Sequence, residues 1–408
     1  MKKLRILYLS QYFPPEVGAT QNRAFEMARN LAEMGHGVRV LCEAPNHPKG
    51  VIFPGYGGKL INKRRVEGVD VYHLWVYTST EKNFKTRMLF YISYMVSAFL
   101  VGIFLTGYDV VFATSPPLFT AVAGRLIAIV RRKKFVMEVR DLWPEAAVQL
   151  GEIKSEKAIR LARRIEHWCY RGARKIILVT HGAHRTVAAY NGGEYAGRLA
   201  IVPNGTNIEG DLQPVPRNGH ITPELDGKFV IIYAGLMGIA QGLETIVAGA
   251  EILRDDPRPV FFLVGEGPVK EELQKSVAEK GLKNVVFHPE VPNSKIKEMY
   301  SAADASIVPL RKIKLFEETV PSKLYDSLAG GLPVLLGVDG EARRILEESG
   351  GGVFFEPENP VALAESVRRM MDDEESFRKM GTAGRDYVLK NYSRRVLALK
   401  LAKELESV

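Results

Sequence analysis

Glu318 and Asp326 stand with seven residues between them, and Pro321, Ser322 and Lys323 fall in that gap. Two carboxylates and an ammonium so close suggest a few chemistries. A carboxylate accepts paired hydrogen bonds from vicinal hydroxyls of a ribose or hexose, and the lysine sets positive charge against a diphosphate. A glycosidase would instead use the two carboxylates as acid and nucleophile, which leaves Lys323 without a task. The plain alternative is a solvated helix start. Spacing predicts a short helix from Lys323 to Ala329, capped by Ser322 or Thr319. Glu318 then lies in the loop and Asp326 one turn inside. Pro321 brings no N–H to that loop, and Gly330, Gly331 and Pro333 follow the helix.

Other stretches sit where strand-like runs end. In "SQYFPPEVGATQNR" (10–23), Gly18 lets another molecule approach the backbone, and Thr20 is placed to cap the next helix. Amides at that helix start favour an anion. In "EVRDLWPEAA" (138–147), Asp141 is a candidate to orient or deprotonate an acceptor hydroxyl and Arg140 to hold phosphate. Helix capping by Asp141 is the alternative. In "YAGLMGIAQGLETI" (233–246), Gly235, Gly238 and Gly242 make a loop suited to a diphosphate, or simply a turn needing positive φ. In "LVGEGPVKEEL" (263–273), Gly265 and Gly267 flank Glu266 and would admit a flat ring, and Pro289 in "FHPEVP" (287–292) would stand at its rim. Ordinary loops explain these last two stretches equally well.

These residues need a scaffold that delivers strand ends to one place. Apolar runs at 4–10, 37–43, 69–77, 108–115, 134–141, 175–181 and 199–205 alternate with helical spacing, and so do 229–236, 259–267, 284–291, 305–310, 333–338 and 351–358. That alternation predicts an α/β chain of two Rossmann-like domains with parallel sheets, facing an interdomain cleft. The expected boundaries are 1–205, a Pro- and Gly-rich linker over 206–228, 229–375, and a helical tail over 376–408 that packs back on the first domain.

The 408 residues carry a net charge of +9, which suits an anionic partner. Clusters such as "NKRR" (62–65) read equally as solvated faces. No nucleic-acid motif appears. Two cysteines, Cys42 and Cys169, make neither a metal-spaced set nor a disulfide framework, and a reducing cytoplasm is expected. The uncharged run 88–105 allows three readings: a buried crossover helix, a helix that also touches acidic lipid beside Lys82, Lys85 and Arg87, or a span.

Taken together, "YFPPEVGATQNR", "ATSPP", "RDLWPE", "VPNGT", "AGLMGIAQGLET" and "TVPSKLYDSLAGGLPVL" resemble the GT-B retaining glycosyltransferases of family 4, also called group 1. They resemble most the fucosamine-transferase-like subgroup of O-antigen and capsule synthesis. The likeness runs over nearly the whole chain. It implies a nucleotide-sugar donor, UDP-linked and of the N-acetylhexosamine type, held mainly by the second domain, and a glycan or polyprenyl-diphosphate-linked acceptor. It implies no metal or other cofactor and no nucleic acid. A peripheral place on the cytoplasmic membrane face, through about 82–105, goes with such an acceptor. The family's E-x7-E element matches Glu318 to Asp326, so Glu318 would face sugar hydroxyls and Asp326 the ribose, with amides near Gly18 on the diphosphate. Leu236 and Gln241 stand where many members have Arg and Lys. Lys323, Arg311 and Lys312 are the replacement candidates for the diphosphate charge. A catalytically silent scaffold and a sugar-nucleotide epimerase on the same fold are the rival functions.

Overall fold

Strands buried on both faces set the architecture, because only helices on either side of a parallel sheet cover such runs. The computed structural model describes residues 2–81, 83–145, 148, 155–206 and 225–408. It divides into one unit of Met1–Asn204 with Arg394–Val408 and a second of Gly205–Ser393.

Among the described residues the first unit holds eight strands: β1 Arg5–Leu9, β2 Gly37–Glu43, β3 Ile61–Val66, β4 Val69–Leu74, β5 Val110–Ser115, β6 Lys134–Val139, β7 Lys175–Leu178 and β8 Leu199–Ile201. Their order is β3-β4-β2-β1-β5-β6-β7-β8. All pair in parallel except β3 with β4. β3 carries "NKRR", for which a solvated face is one of two equal readings, and it is an exposed antiparallel edge. Its cations keep that edge from pairing with other chains. Helices α1 Ala19–Glu33, α2 Phe84–Phe104, α3 Leu118–Val130, α4 Glu156–Gly172 and α5 His181–Ala189 lie between strands.

α2 links β4 to β5 of the same sheet. A span through this segment would tear that sheet. α2 is the expected crossover helix, but not a buried one: Tyr94, Ala98 and Gly102 are its buried residues, with Tyr94 and Ala98 in the core.

The second unit has six parallel strands: β9 Phe229–Ala234, β10 Pro259–Val264, β11 Val285–His288, β12 Ala305–Pro309, β13 Val334–Gly337 and β14 Gly352–Phe354. Their order is β11-β10-β9-β12-β13-β14. The helices are α6 Glu244–Ile252, α7 Lys270–Glu279, α8 Asn293–Ala302, α9 Lys314–Glu317, α10 Ser322–Ala329, α11 Glu341–Ser349, α12 Pro360–Asp372 and α13 Glu374–Tyr392. α14 Arg394–Glu406 returns to the first unit, where Leu397, Leu401 and Leu405 join the core beside α1.

The expected tail over 376–408 is therefore split. α13 stays in the second unit, with Val388 and Tyr392 packed among Leu324, Tyr325 and Leu328, and only the part from Arg394 goes back. Most of the expected linker, 207–224, lies outside the described residues. So do Ala146 and Ala147 of the 138–147 stretch, and Lys82.

In each sheet the chain reverses its direction of winding at one place, between β1 and β5 and between β9 and β12. Loops leaving the carboxyl ends of strands at such a reversal part to opposite faces and leave a crevice. The loop after β1 and the loops after β9 and β12 are thus the places for a ligand.

Candidate functional site

The loop after β9 starts with Gly235, whose φ of +139° is left-handed territory. A Cβ there would come within 2.4 Å of the Lys323 Cε. The glycine makes the space in which the lysine lies, so the residue expected to receive a diphosphate and the residue expected to neutralise it are neighbours. The Lys323 Nζ is 5.2 Å from the centre of the Tyr233 ring, a cation–π contact. Burial lowers the ammonium's pKa from its ordinary 10.5, and Asp326 opposes that shift. Lys323 keeps part of its surface exposed, so it can meet a ligand.

Lys323 stands in the first turn of α10. The first turn closes on Pro321, with the Leu324 N–H donating to its carbonyl at 3.0 Å. Ser322 is consequently the first helical residue and not the cap, and the N-cap position is Pro321, whose side chain makes no capping hydrogen bond. Thr319 does not cap it either; its hydroxyl donates to the Phe316 carbonyl at 3.0 Å. A helix start beside an ammonium is suited to an anion. Asp326, one turn further on, accepts at Oδ1 from the Thr206 hydroxyl at 3.0 Å, which fixes the carboxylate's direction. Glu318 is half-buried in the loop between α9 and α10.

Gln241 turns inward: its Oε1 accepts from the Gly238 N–H at 3.1 Å and closes the glycine loop on itself. Arg311 and Lys312 differ from expectation. The Arg311 guanidinium donates to the Ile239 carbonyl at 2.7 Å, to Glu244 at 2.6 Å and to Glu358 at 3.3 Å. The Lys312 ammonium pairs with Glu356 at 2.6 Å. Carboxylates already satisfy both cations, and Arg311 braces the glycine loop.

Gly265 and Gly267 also have a different reason to be glycine. A Cβ on Gly265 would meet the Gly235 carbonyl oxygen at 2.0 Å, and one on Gly267 the Met237 oxygen at 2.2 Å. They let two strand-end loops lie against each other, joined by the Gly235 N–H to Val264 and the Met237 N–H to Glu266. Glu266 pairs with Lys270 at 2.7 Å. Pro289 is exposed, and its carbonyl is 2.8 Å from the His288 Nδ1. Sequence reasoning missed Tyr233 and Thr206 as parts of the site. Thr206 stood in plain view in "VPNGT", but its partner is 120 positions away.

In the first unit, α1 begins at Ala19 with Gly18 as its extended N-cap and no side-chain cap. Thr20 does not cap it, because the Asn22 N–H closes the first turn on the Gly18 carbonyl at 2.9 Å. Glu16 holds this loop by accepting from the Asn46 and His47 N–H groups at 2.7 and 2.8 Å. Beside it, burial and then Glu16 push the Glu43 carboxyl well above the usual range. Arg140 donates from Nη2 to the Pro116 carbonyl at 2.8 Å, while its buried Nε and Nη1 have no hydrogen-bond partner among the described residues. Burial raises Asp141 and Arg140 lowers it. Its exposed surface argues that solvent still reaches this carboxylate. Among the described residues, no three His, Cys, Asp or Glu side chains gather as a metal set. A hollow of about 680 Å³, lined by Arg5, Arg39 and Arg65 among others, opens at the amino ends of β1 and β2, at the wrong edge of the sheet for this chemistry.

Two family models match the chain side by side. Residues 18–205 match the glycosyl transferase 4-like domain, and residues 218–387 match the glycosyl transferases group 1. The chain belongs to the group 1 glycosyltransferases. This group 1 enzyme is 26% identical over 399 residues to the putative colanic acid biosynthesis glycosyl transferase WcaI of Escherichia coli strain K12, covering 94% of this chain and 95% of that protein. It is 27% identical over 317 residues to the probable glycosyltransferase WbjE of Pseudomonas aeruginosa, covering 75% and 77%. Among solved structures, the Anabaena protein Alr3699/HepE in complex with UDP and glucose superposes with a TM-score of 0.71 at 15% identity, over 99% of this chain and all of that one. At that identity the likeness concerns the fold, which is GT-B for this glycosyltransferase.

Proposed function

We propose that this glycosyltransferase takes a sugar of the N-acetylhexosamine type from a UDP-linked donor, with retained configuration and no metal ion. The acceptor is a glycan or a polyprenyl-diphosphate-linked chain in cell-surface polysaccharide synthesis, as in the O-antigen and capsule subgroup. The placement of Lys323 over Gly235, in the first turn of α10, carries the reading. Leaving-group charge grows on the diphosphate as the anomeric bond loosens, and fixed donors that meet that growing charge lower the barrier. Glu318 then orients the donor sugar and Asp326, held by Thr206, the ribose. Acceptor attack comes from the face the diphosphate leaves, and a departing phosphate oxygen takes the proton. The first unit supplies the Gly18 amides, Arg140 for acceptor phosphate and Asp141 for its hydroxyl. The colanic acid biosynthesis in which WcaI takes part by name and the UDP bound to HepE support the donor and product classes. The protein works in the cytoplasm, peripherally on the membrane.

The test is release of nucleoside diphosphate, after a melting-shift screen against UDP-, GDP-, ADP- and TDP-sugars. Glu318→Ala and Lys323→Ala should each lower turnover by about 10²–10³ in a protein that still folds. Near-normal turnover in both would overturn the site. One observation favours a silent scaffold: Leu236, where the family resemblance leads one to expect arginine, is 60% exposed, and Gln241 is used within its own loop. That reading requires nucleotide binding with no diphosphate release across acceptors.

A further inference from the structure

The outer face of α2 is an apolar ridge. Leu89, Ile92, Val96, Leu100 and Phe104 recur at three- and four-residue steps, and each is exposed, Phe104 by 80%. This spacing puts them on one side of the helix. Lys85 is exposed one turn ahead of Leu89 and heads the same ridge. The opposite side is fixed to the protein. The Tyr94 hydroxyl donates to the Leu41 carbonyl at 2.7 Å, and a Cβ on Gly102 would be 2.4 Å from the Ile127 Cδ1 of α3. So α2 cannot roll to hide its ridge.

Two amphipathic aromatics flank it. The Ser97 hydroxyl donates to the Trp75 carbonyl, and the Tyr77 N–H donates to Ser93, both at 2.8 Å. Trp75 and Tyr77 are exposed. Rings of this kind prefer the headgroup level, half apolar and half wet. The neighbouring α3 ends on exposed Ile129 and Val130, followed by Arg131, Arg132 and Lys133. Cations therefore stand at both ends of a long aliphatic strip, which complements an acidic lipid surface better than it does another protein face.

We infer that the α2 ridge is the seat of this protein on an anionic bilayer, with the helix lying in the membrane plane and its ridge in the acyl boundary. The inference rests on the peripheral location given above and says which face carries it. It also bears on the acceptor. The same helix sends Phe90 to within 6.5 Å of the Tyr12 ring, centre to centre, and Tyr91 to within 6.4 Å of Phe119. Tyr12 belongs to the loop after β1. A seated α2 brings that loop to the lipid surface, where a lipid-anchored sugar diphosphate presents its headgroup.

The experiment is co-flotation of the full chain with vesicles containing about 30% phosphatidylglycerol, compared with phosphatidylcholine alone. Wild type should float with the anionic vesicles and weakly with the neutral ones. Val96→Glu with Leu100→Glu should lower partition at least about tenfold at an unchanged melting temperature, and Lys85→Glu a few-fold. Light scattering reports a second copy as the occupant. The proposal falls if wild type ignores both vesicles, if the ridge variant floats like wild type, or if the substitutions instead split a dimer. Vesicle binding without any sugar transfer upholds this surface and counts against the catalytic reading alone.

Discussion

Lys323 occupies the space that a side chain at residue 235 would need, with its Cε 2.4 Å from where a Cβ would be. The two residues are 88 positions apart, and the reversal of winding between β9 and β12 brings them together. Gly235→Ala should therefore displace the lysine and strain a left-handed position, at a cost of about 1–3 kcal/mol. In a Lys323→Ala background the same change should cost less, because the clash is gone. A double-mutant cycle by denaturant unfolding reads the coupling, and strict additivity would deny the contact.

Activity should depend on the charge of Lys323. Its folded pKa lies below 10.5, so the ammonium is lost, and kcat/KM should fall, at a lower pH than for a solvated lysine. Arginine stays charged throughout. Lys323→Arg should lower the rate by misplacing the charge but remove that alkaline limb. Profiles from about pH 7 to 10 compare the two, and an unchanged limb in the arginine variant assigns it to another group.

Arg311 should behave as a brace. It pairs with Glu244 and Glu358 at the partly exposed edge of the glycine loop. Arg311→Ala should cost about 1 kcal/mol of stability and leave the donor KM within about threefold. A KM rise of about a hundredfold, with stability intact, would return Arg311 to the diphosphate.

Glu166 makes a prediction about stability and pH. It is buried, accepts from the Tyr170 hydroxyl at 2.7 Å, and burial pushes its pKa from 4.5 up to about 8. Between those values the folded state holds a proton that the unfolded state has lost. The group's contribution is thus full below 4.5 and declines as pH rises to about 8. Glu166→Gln should flatten that decline, with a higher Tm than wild type at the alkaline end. Parallel Tm–pH curves for the two proteins would contradict it.

The candidate site was legible as residue types but not as partners. "TVPSKLYDSLAGGLPV" announced carboxylates, a lysine and a helix, because charge and helical spacing are local properties. That Ser322 starts the helix and does not cap it depended on how the first turn closed on Pro321. Arg311 looked available for the same reason that any arginine does in a sequence: its carboxylates, Glu244 and Glu358, lie 67 and 47 positions away. Gly265 and Gly267 were read as room for a ring, and their room is filled by the backbone of the loop after β9. β3 was passed over because an exposed, basic edge strand lacks the apolar alternation that marks a strand.

The sequence by itself determined the alternation of strands and helices, the two sheets, and the family, because buried strands and helical stripes are written in hydrophobic period. Tertiary structure decided which of the candidate cations carboxylates already hold, why glycines such as Gly235 and Gly265 must be glycine, and which side of α2 faces outward. Those outcomes depend on atoms far apart in the chain that meet only when the strands are ordered side by side, and no local pattern records that order.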